Sequence, residues 1–207
     1  MYNKKSAIAC RFASKNNVNS LAIQGVYLTG DGTVVGTDRY RLVAISPAKF
    51  AGKNFPDIGK TVLDKHQPRI VPAQQFEKVL SEIPSNKVGA IEYAAVTTDE
   101  DDKFGLTTTD LDMIKETLIK PVHEKYPNYE GILPASKGQE PAVEFYINPR
   151  HLMELIKAVC DFIDETAKNP KNVKISVFDS QKPIQITAKN NNTDQDMIGL
   201  LALVEAR

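Results

Sequence analysis

Val34-Val35-Gly36-Thr37-Asp38-Arg39-Tyr40-Arg41-Leu42-Val43-Ala44-Ile45 is the stretch around which the rest of the chain is laid out, and it reads as one strand of a hairpin. Upstream, Gly25-Val26-Tyr27-Leu28-Thr29 is β-branched and aromatic, and Gly30-Asp31-Gly32 supplies residues that tolerate the positive φ of a tight turn. A phosphate-binding loop also starts Gly-x-Gly after a strand, but it must then open a helix whose amides meet the phosphate. Here Thr33-Val34-Val35 follows, so the loop is a turn and the two runs pair.

At 207 residues the chain falls between one and two domains. With 42% hydrophobic and 25% charged residues it is outside the disorder-prone class. Lys plus Arg and Asp plus Glu each number 26, a formal net charge of +0, so bulk charge alone points to no nucleic-acid partner. A local stripe of cations still suffices for one, since phosphate contacts are made locally. Cys10 and Cys160 lack Cys-x-x-Cys spacing and read as buried or half-buried free thiols in helices. No basic-then-apolar leader opens the sequence and no run of eighteen apolar residues occurs, so the expectation is a cytoplasmic chain without a membrane partner.

Ile8 and Phe12 sit four apart among alanines, which predicts a short helix over Lys4 to Ser14. Lys4, Lys5, Arg11 and Lys15 give the first 30 residues a positive excess with no Asp or Glu, although a solvated helix face is the plainer reading of such a run. Pro47 to Asp57 reads as a loop, and Lys60 to Leu63 and Pro68 to Val71 as short extended pieces. Pro72 opens a second helix with Phe76, Val79, Leu80 and Ile83 on one face, stopped by Pro84. Val88 to Thr98 and Phe104 to Thr109 read as strands around the acidic loop Asp99 to Asp102, and Thr109 to Leu118 alternates as a further strand. Ala135 to Pro141 is the best candidate linker.

Then the pattern returns: Val143 to Ile147 as a strand, and a helix capped by Asn148 with Pro149 first and Leu152, Leu155, Ile156 and Val159 on one face. After a polar connector, Lys168 to Asn172, come three strands: Val173 to Phe178, Pro183 to Ala188 and Met197 to Val204. Ile8, Phe76 and Leu152 recur at intervals of about seventy residues, so the chain repeats a unit of one helix followed by three strands. The second and third units also show a strand before the helix. The first lacks one unless Met1 to Asn3 is its stub.

Gly36 to Val43 is similar to the threonine-aspartate-glycine-histidine/tyrosine-arginine-leucine strand in the middle domain of bacterial sliding clamps, the beta subunits of DNA polymerase III. Lys125-Tyr126-Pro127-Asn128-Tyr129-Glu130-Gly131-Ile132-Leu133-Pro134 resembles that family's phenylalanine-proline-aspartate/asparagine-tyrosine segment and its closing aliphatic-proline pair, in the same order and rough spacing. The resemblance implies an α+β fold of β-α-β-β-β units, two to a domain. Residues 1 to 134 would then be a complete domain like the middle one, and 141 to 207 half of a last domain, about one and a half in all.

It also implies a processivity factor tethering polymerase or repair factors to duplex DNA, with no cofactor, metal or active site. The DNA-facing residues would be Lys4, Lys5, Arg11 and Lys15 on the first helix with Arg150 and Lys157 on the third. A cleft for a polymerase or clamp-loader peptide would be lined by Ile23, Thr37, Arg39, Tyr40, Arg41, Leu42, Pro127 and Ile132, with Leu200, Leu201, Ala202, Leu203 and Val204 in place of the family's C-terminal end. Arg39 stands where the family usually has glycine, and no Met-Pro closes the chain. The alternative is a clamp-derived interaction protein, a phage or mobile-element factor that occupies clamp partners without encircling DNA.

An enzyme has no support in the sequence. There is no Gly-x-Ser-x-Gly elbow or His-Glu-x-x-His helix, His66, His123 and His151 are scattered, and Asp99 to Asp102 lacks the alternation of a calcium loop. An odd count of units leaves the third helix with half a core. The expected cover is the same unit of a second chain in an isologous homodimer, and two such dimers would close a ring.

Overall fold

The computed structural model describes residues 1–15, 20–47, 55–59, 62–63, 66–84, 91–98, 104–132, 142–163, 173–179, 182–190 and 195–204. The expected acidic loop, the linker 135–141 and the connector 168–172 lie outside them, as do most of the loop 47–57 and the start of the strand over 88–98. The chain divides into two compact units, Met1–Leu133 and Pro134–Arg207.

Among its described residues the first unit holds a nine-residue 3-10 helix, an α-helix, two short 3-10 turns and two four-stranded antiparallel sheets. β1 (Tyr2–Asn3) leads into a helix over Lys4–Phe12, and β2 (Gly25–Leu28), β3 (Val34–Thr37) and β4 (Leu42–Ile45) follow. The second copy of the pattern is β5 (Arg69–Pro72), α1 (Ala73–Ser81), β6 (Tyr93–Thr98), β7 (Phe104–Thr109) and β8 (Ile114–Leu118). The sheet orders are β4-β3-β2-β5 and β1-β6-β7-β8, so the copies exchange their first strands. β1 extends the second copy's sheet through Tyr2 opposite Ala94, and β5 extends the first copy's through Val26 opposite Val71. Met1 to Asn3 is therefore the stub that completes the first repeat.

The exchange makes one core from two copies. Val26, Leu28, Val34 and Val71 on one sheet and Ala94, Val96, Phe104 and Leu106 on the other close over Phe76, Val79 and Leu80 of α1. Each fully buried large side chain contributes about 1.5–3 kcal/mol. Tyr2 lies edge-on to Phe76 at 5.3 Å and its hydroxyl meets His66 Nε2 at 2.7 Å.

The first helix is a 3-10 helix, not an α-helix. Asn3 and Ser6 form a capping box at its start, the Asn3 side chain accepting from the amides of Lys5 and Ser6. A 3-10 helix stacks residues three apart, so buried Ser6 and Ala9 form a row of small side chains, as do Cys10 and Ala13. That row lets backbone meet backbone. An ideal Cβ on Gly36 of β3 would stand 2.1 Å from the Ala9 carbonyl oxygen.

Two expected strands are each broken by a turn. Val34 to Ile45 splits into β3 and β4 at Asp38–Arg41, and Thr109 to Leu118 splits at Asp110–Met113. The two turns are built alike, with the threonine hydroxyl accepting from the amide two residues on and the aspartate carboxylate from the next two amides. Such side-chain-to-backbone bonds compete with a sheet ladder.

Among its described residues the second unit has a single copy: α2 (Pro149–Ile163), then β9 (Lys174–Ser176), β10 (Ile184–Asn190) and β11 (Gln195–Leu201) in the order β11-β10-β9. Asn148 caps α2, accepting from the Arg150 amide at 2.9 Å. Val159, Ile186 and Ala188 are buried, with Leu152, Leu155, Ile156 and Met197 packed around them. The expected strand Val143 to Ile147 is reduced to one bridge, Tyr146 to Val204.

Candidate peptide surface and cationic helix

The outer face of the first sheet carries a second apolar cluster. Alternation along β2 sends Val26 and Leu28 into the core and Tyr27 outward. There Ala22, Val35, Ile70 and Tyr126 are buried, and Tyr27, Leu42, Val122 and Tyr129 pack on them half-buried. Tyr27 and Tyr126 stack at 5.0 Å, Tyr129 meets Tyr27 edge-on at 6.2 Å, and the Tyr126 hydroxyl donates to the Val35 carbonyl at 3.2 Å. Both sequence motifs thus meet here, Leu42 from one and Tyr126 and Tyr129 from the other.

The segment after β8 holds this surface in place. The Val122 amide donates to the Ile70 carbonyl at 2.8 Å, and the Ala22 amide donates to the Glu124 carboxylate at 2.8 Å. Between β5 and this segment lies an open cleft of about 590 Å³, with Tyr27, Ile70 and Val122 as apolar walls and Arg69, Glu124 and Lys125 at its polar margin. Burial raises the phenol pKa of Tyr126, and that of Tyr129 is raised by burial and by the Glu130 carboxylate. Both phenols are neutral hydrogen-bond donors at neutral pH.

The expected cleft residues fall in several environments. Ile23 is buried beneath the surface. Thr37 is buried and its hydroxyl donates to the Arg41 carbonyl at 2.8 Å. Arg39 and Tyr40 form the exposed tip of the first turn, Tyr40 with 94% of its surface free. Arg41 turns back, its guanidinium on the Asp38 carboxylate at 2.7 Å and 5.3 Å above the Phe12 ring. Hydrogen bonds from Arg41 hold the Asp38 carboxyl below its ordinary pKa.

Pro127 is exposed beside Tyr126, and Ile132 closes the short 3-10 turn Glu130–Ile132. In the second unit Leu201 is buried, Leu203 half-buried, and Leu200, Ala202 and Val204 are exposed. Of this cluster only Leu42 was among the expected cleft residues; Tyr27, Val122, Tyr126 and Tyr129 are contributors that sequence reasoning did not assign to a cleft. The outward tyrosine in an alternating strand was the available signal.

Lys4, Lys5, Arg11 and Lys15 all reach solvent from the 3-10 helix and its end. Beside it α1 exposes Gln74, Gln75, Glu77 and Lys78, a nearly neutral face. Between the two helices the Cys10 thiol is pushed up to about 12 by burial, and then by the nearby Glu77 carboxylate, which makes it unreactive. Arg150 and Lys157 are exposed on α2, and so is the free thiol Cys160, which was expected to be at least half-buried. Among the described residues no three His, Cys, Asp or Glu gather as metal ligands, and no helix is long and apolar enough to cross a membrane.

No protein-family model and no curated protein matches this sequence. Solved structures do match its fold. The chain superposes on DNA polymerase III subunit beta from Borrelia burgdorferi, solved in complex with a natural product, with a TM-score of 0.61 at 14% identity. It superposes on the DNA polymerase III beta chain from Streptococcus pneumoniae with a TM-score of 0.62 at 13% identity. Each match covers 99% of this chain and 48% of the other, so the chain spans about half the length of these structures. The protein is an α+β chain with the sliding-clamp fold.

Proposed function

We propose that this chain is a sliding-clamp-like processivity factor that holds polymerase or repair factors on duplex DNA. In this reading residues 1 to 134 act as a middle-type clamp domain and 141 to 207 as half of a last-type domain. The observation that carries it is the pairing of two surfaces in one unit: a helix exposing Lys4, Lys5, Arg11 and Lys15, and an aromatic surface where both clamp-like motifs meet. Such a protein works without catalysis or cofactor. The cations contact phosphates through long-range attraction without reading sequence, and the same function falls to Arg150 and Lys157 on α2.

The aromatic surface receives a polymerase or loader peptide, a few apolar side chains docking against Leu42, Tyr27 and Tyr129. The cytoplasm is the compartment for this work. A second reading, a clamp-derived factor that binds clamp partners without encircling DNA, draws on the neutral balance of the whole chain and the nearly neutral face of α1.

The two readings part on DNA. With Lys5, Arg11 and Lys15 changed to Ala, fluorescence anisotropy of a labelled duplex should show weaker association and a shallower fall of affinity with salt. An unchanged salt slope discards the DNA face and leaves the second reading.

A further inference from the structure

We infer that the second unit completes its core with the second unit of another copy of this chain, by exchanging the segment before α2 onto the free edge of β9. This goes beyond the clamp reading and stands without it.

The first unit supplies the template. In each of its copies the strand just after the helix is covered by the other copy, and its inward residues, Val26 and Leu28 in β2 and Ala94 and Val96 in β6, are 0% exposed. In the second unit β9 holds that place. Ile175 shares a face with Ile186, which lies opposite it in register and is 1% exposed, yet Ile175 is 55% exposed, and Val177 two residues on is 41% exposed. The core face therefore continues past the cover that α2 provides. Among the described residues, nothing pairs with the far edge of β9.

The missing cover has the form of this unit itself. Tyr146 bridges Val204 as Ile70 bridges Val122, so in both copies the residue ahead of the helix meets the chain just past the third strand. In the first unit that leading segment, β5, also adds to β2 of the neighbouring copy. The segment with Val143 and Tyr146 is exposed and adds to no sheet among the described residues.

Charge and helix surface agree with a two-fold partner. Glu144 of the leading segment and Lys174 of β9 are both exposed and bring opposite signs to the joined edges. On α1 the residue after Phe76 is Glu77, beside Cys10 of the neighbouring helix. On α2 the residue after Leu152 is Met153, 66% exposed, an apolar side chain where the template places a helix contact. A two-fold contact sets the same apolar positions against each other, so one surface serves both chains.

Sedimentation equilibrium of the full chain tests this. The expected mass is twice the 22.9 kDa of one chain. Met153→Glu, at an exposed helix position that leaves the monomer fold intact, should weaken the dimer on the order of a hundredfold, and Ile175→Asp should do likewise. Hydrogen exchange should show the β9 amides protected in the dimer and open in Met153→Glu. Single-chain mass at every concentration overturns the inference, as does a Met153→Glu dimer of unchanged affinity. Equal β9 exchange in dimer and monomer overturns the strand exchange. Peptide binding measured on Met153→Glu reports the clamp reading separately, because that residue lies outside the aromatic surface of the first unit.

Discussion

Arg39 and Leu111 occupy the same left-handed position in two copies of one turn, with φ of +78° and +82°. Each follows a Thr-Asp pair whose side chains bind the next amides, and each costs about 1–2 kcal/mol because a Cβ crowds the following carbonyl there. Leu111→Gly should therefore stabilise the protein by about 0.5–1 kcal/mol, the backbone relief exceeding the entropy that glycine adds to the unfolded chain. The Leu111 side chain is largely exposed, so little packing is lost. A lower midpoint in chemical denaturation would show that the leucine holds something at the turn.

Asp38 gives the first turn a pH dependence. Its carboxyl is held below its ordinary pKa by hydrogen bonds from Arg41, then Tyr40, so the folded state binds its proton later than the unfolded chain. The stability this contributes is complete above the unfolded value, about 3.9, and is lost as pH falls through the folded value. Asp38→Asn should lower the melting temperature at neutral pH and converge with the wild type in strong acid. Parallel melting curves across the acid range would remove the ion from the account.

Gly36 and Gly199 should respond differently to alanine. A Cβ at Gly36 meets backbone, the Ala9 carbonyl oxygen, and the 3-10 helix must lift to admit it. At Gly199 the new atom meets Leu155 Cδ1 at 2.5 Å, the movable end of a side chain. We expect Gly36→Ala to cost about 3 kcal/mol and Gly199→Ala about 1 kcal/mol, read from denaturant titrations. The reverse order would mean that the helix over Gly36 yields more easily than a leucine rotamer.

The aromatic surface predicts where a peptide is lost. Leu42→Asp places a carboxylate against the apolar cluster of Ala22, Val35, Ile70 and Tyr126, and titration calorimetry with a Leu/Phe-bearing polymerase-type peptide should show affinity falling at least tenfold. Tyr40→Ala, at the free tip, should change it less than twofold. Wild-type affinity in a folded Leu42→Asp protein would move the peptide elsewhere.

Helix and strand periodicity is local, and the sequence carried it. Phe76, Val79, Leu80 and Ile83 mark one helix, Leu152, Leu155, Ile156 and Val159 another, and the recurrence of helix followed by strands set the architecture. The turns at Asp38 and Asp110 were hidden inside alternating runs, because a turn made by side-chain oxygens and a non-glycine residue at positive φ leaves the hydrophobic pattern intact. Even so, the repeated Thr-Asp pair was written at both places.

Three features were decided only by tertiary structure. The first helix is 3-10 because its small residues must lie against Gly36, a contact between segments far apart in sequence. β1 and β5 trade sheets because two copies bury their helices only by closing on each other, and no local propensity encodes which edge a strand joins. Arg41, which the motif resemblance assigns to the cleft, lies on Asp38 and above the Phe12 ring, since a guanidinium settles where charge and an aromatic face converge, and folding brings those together.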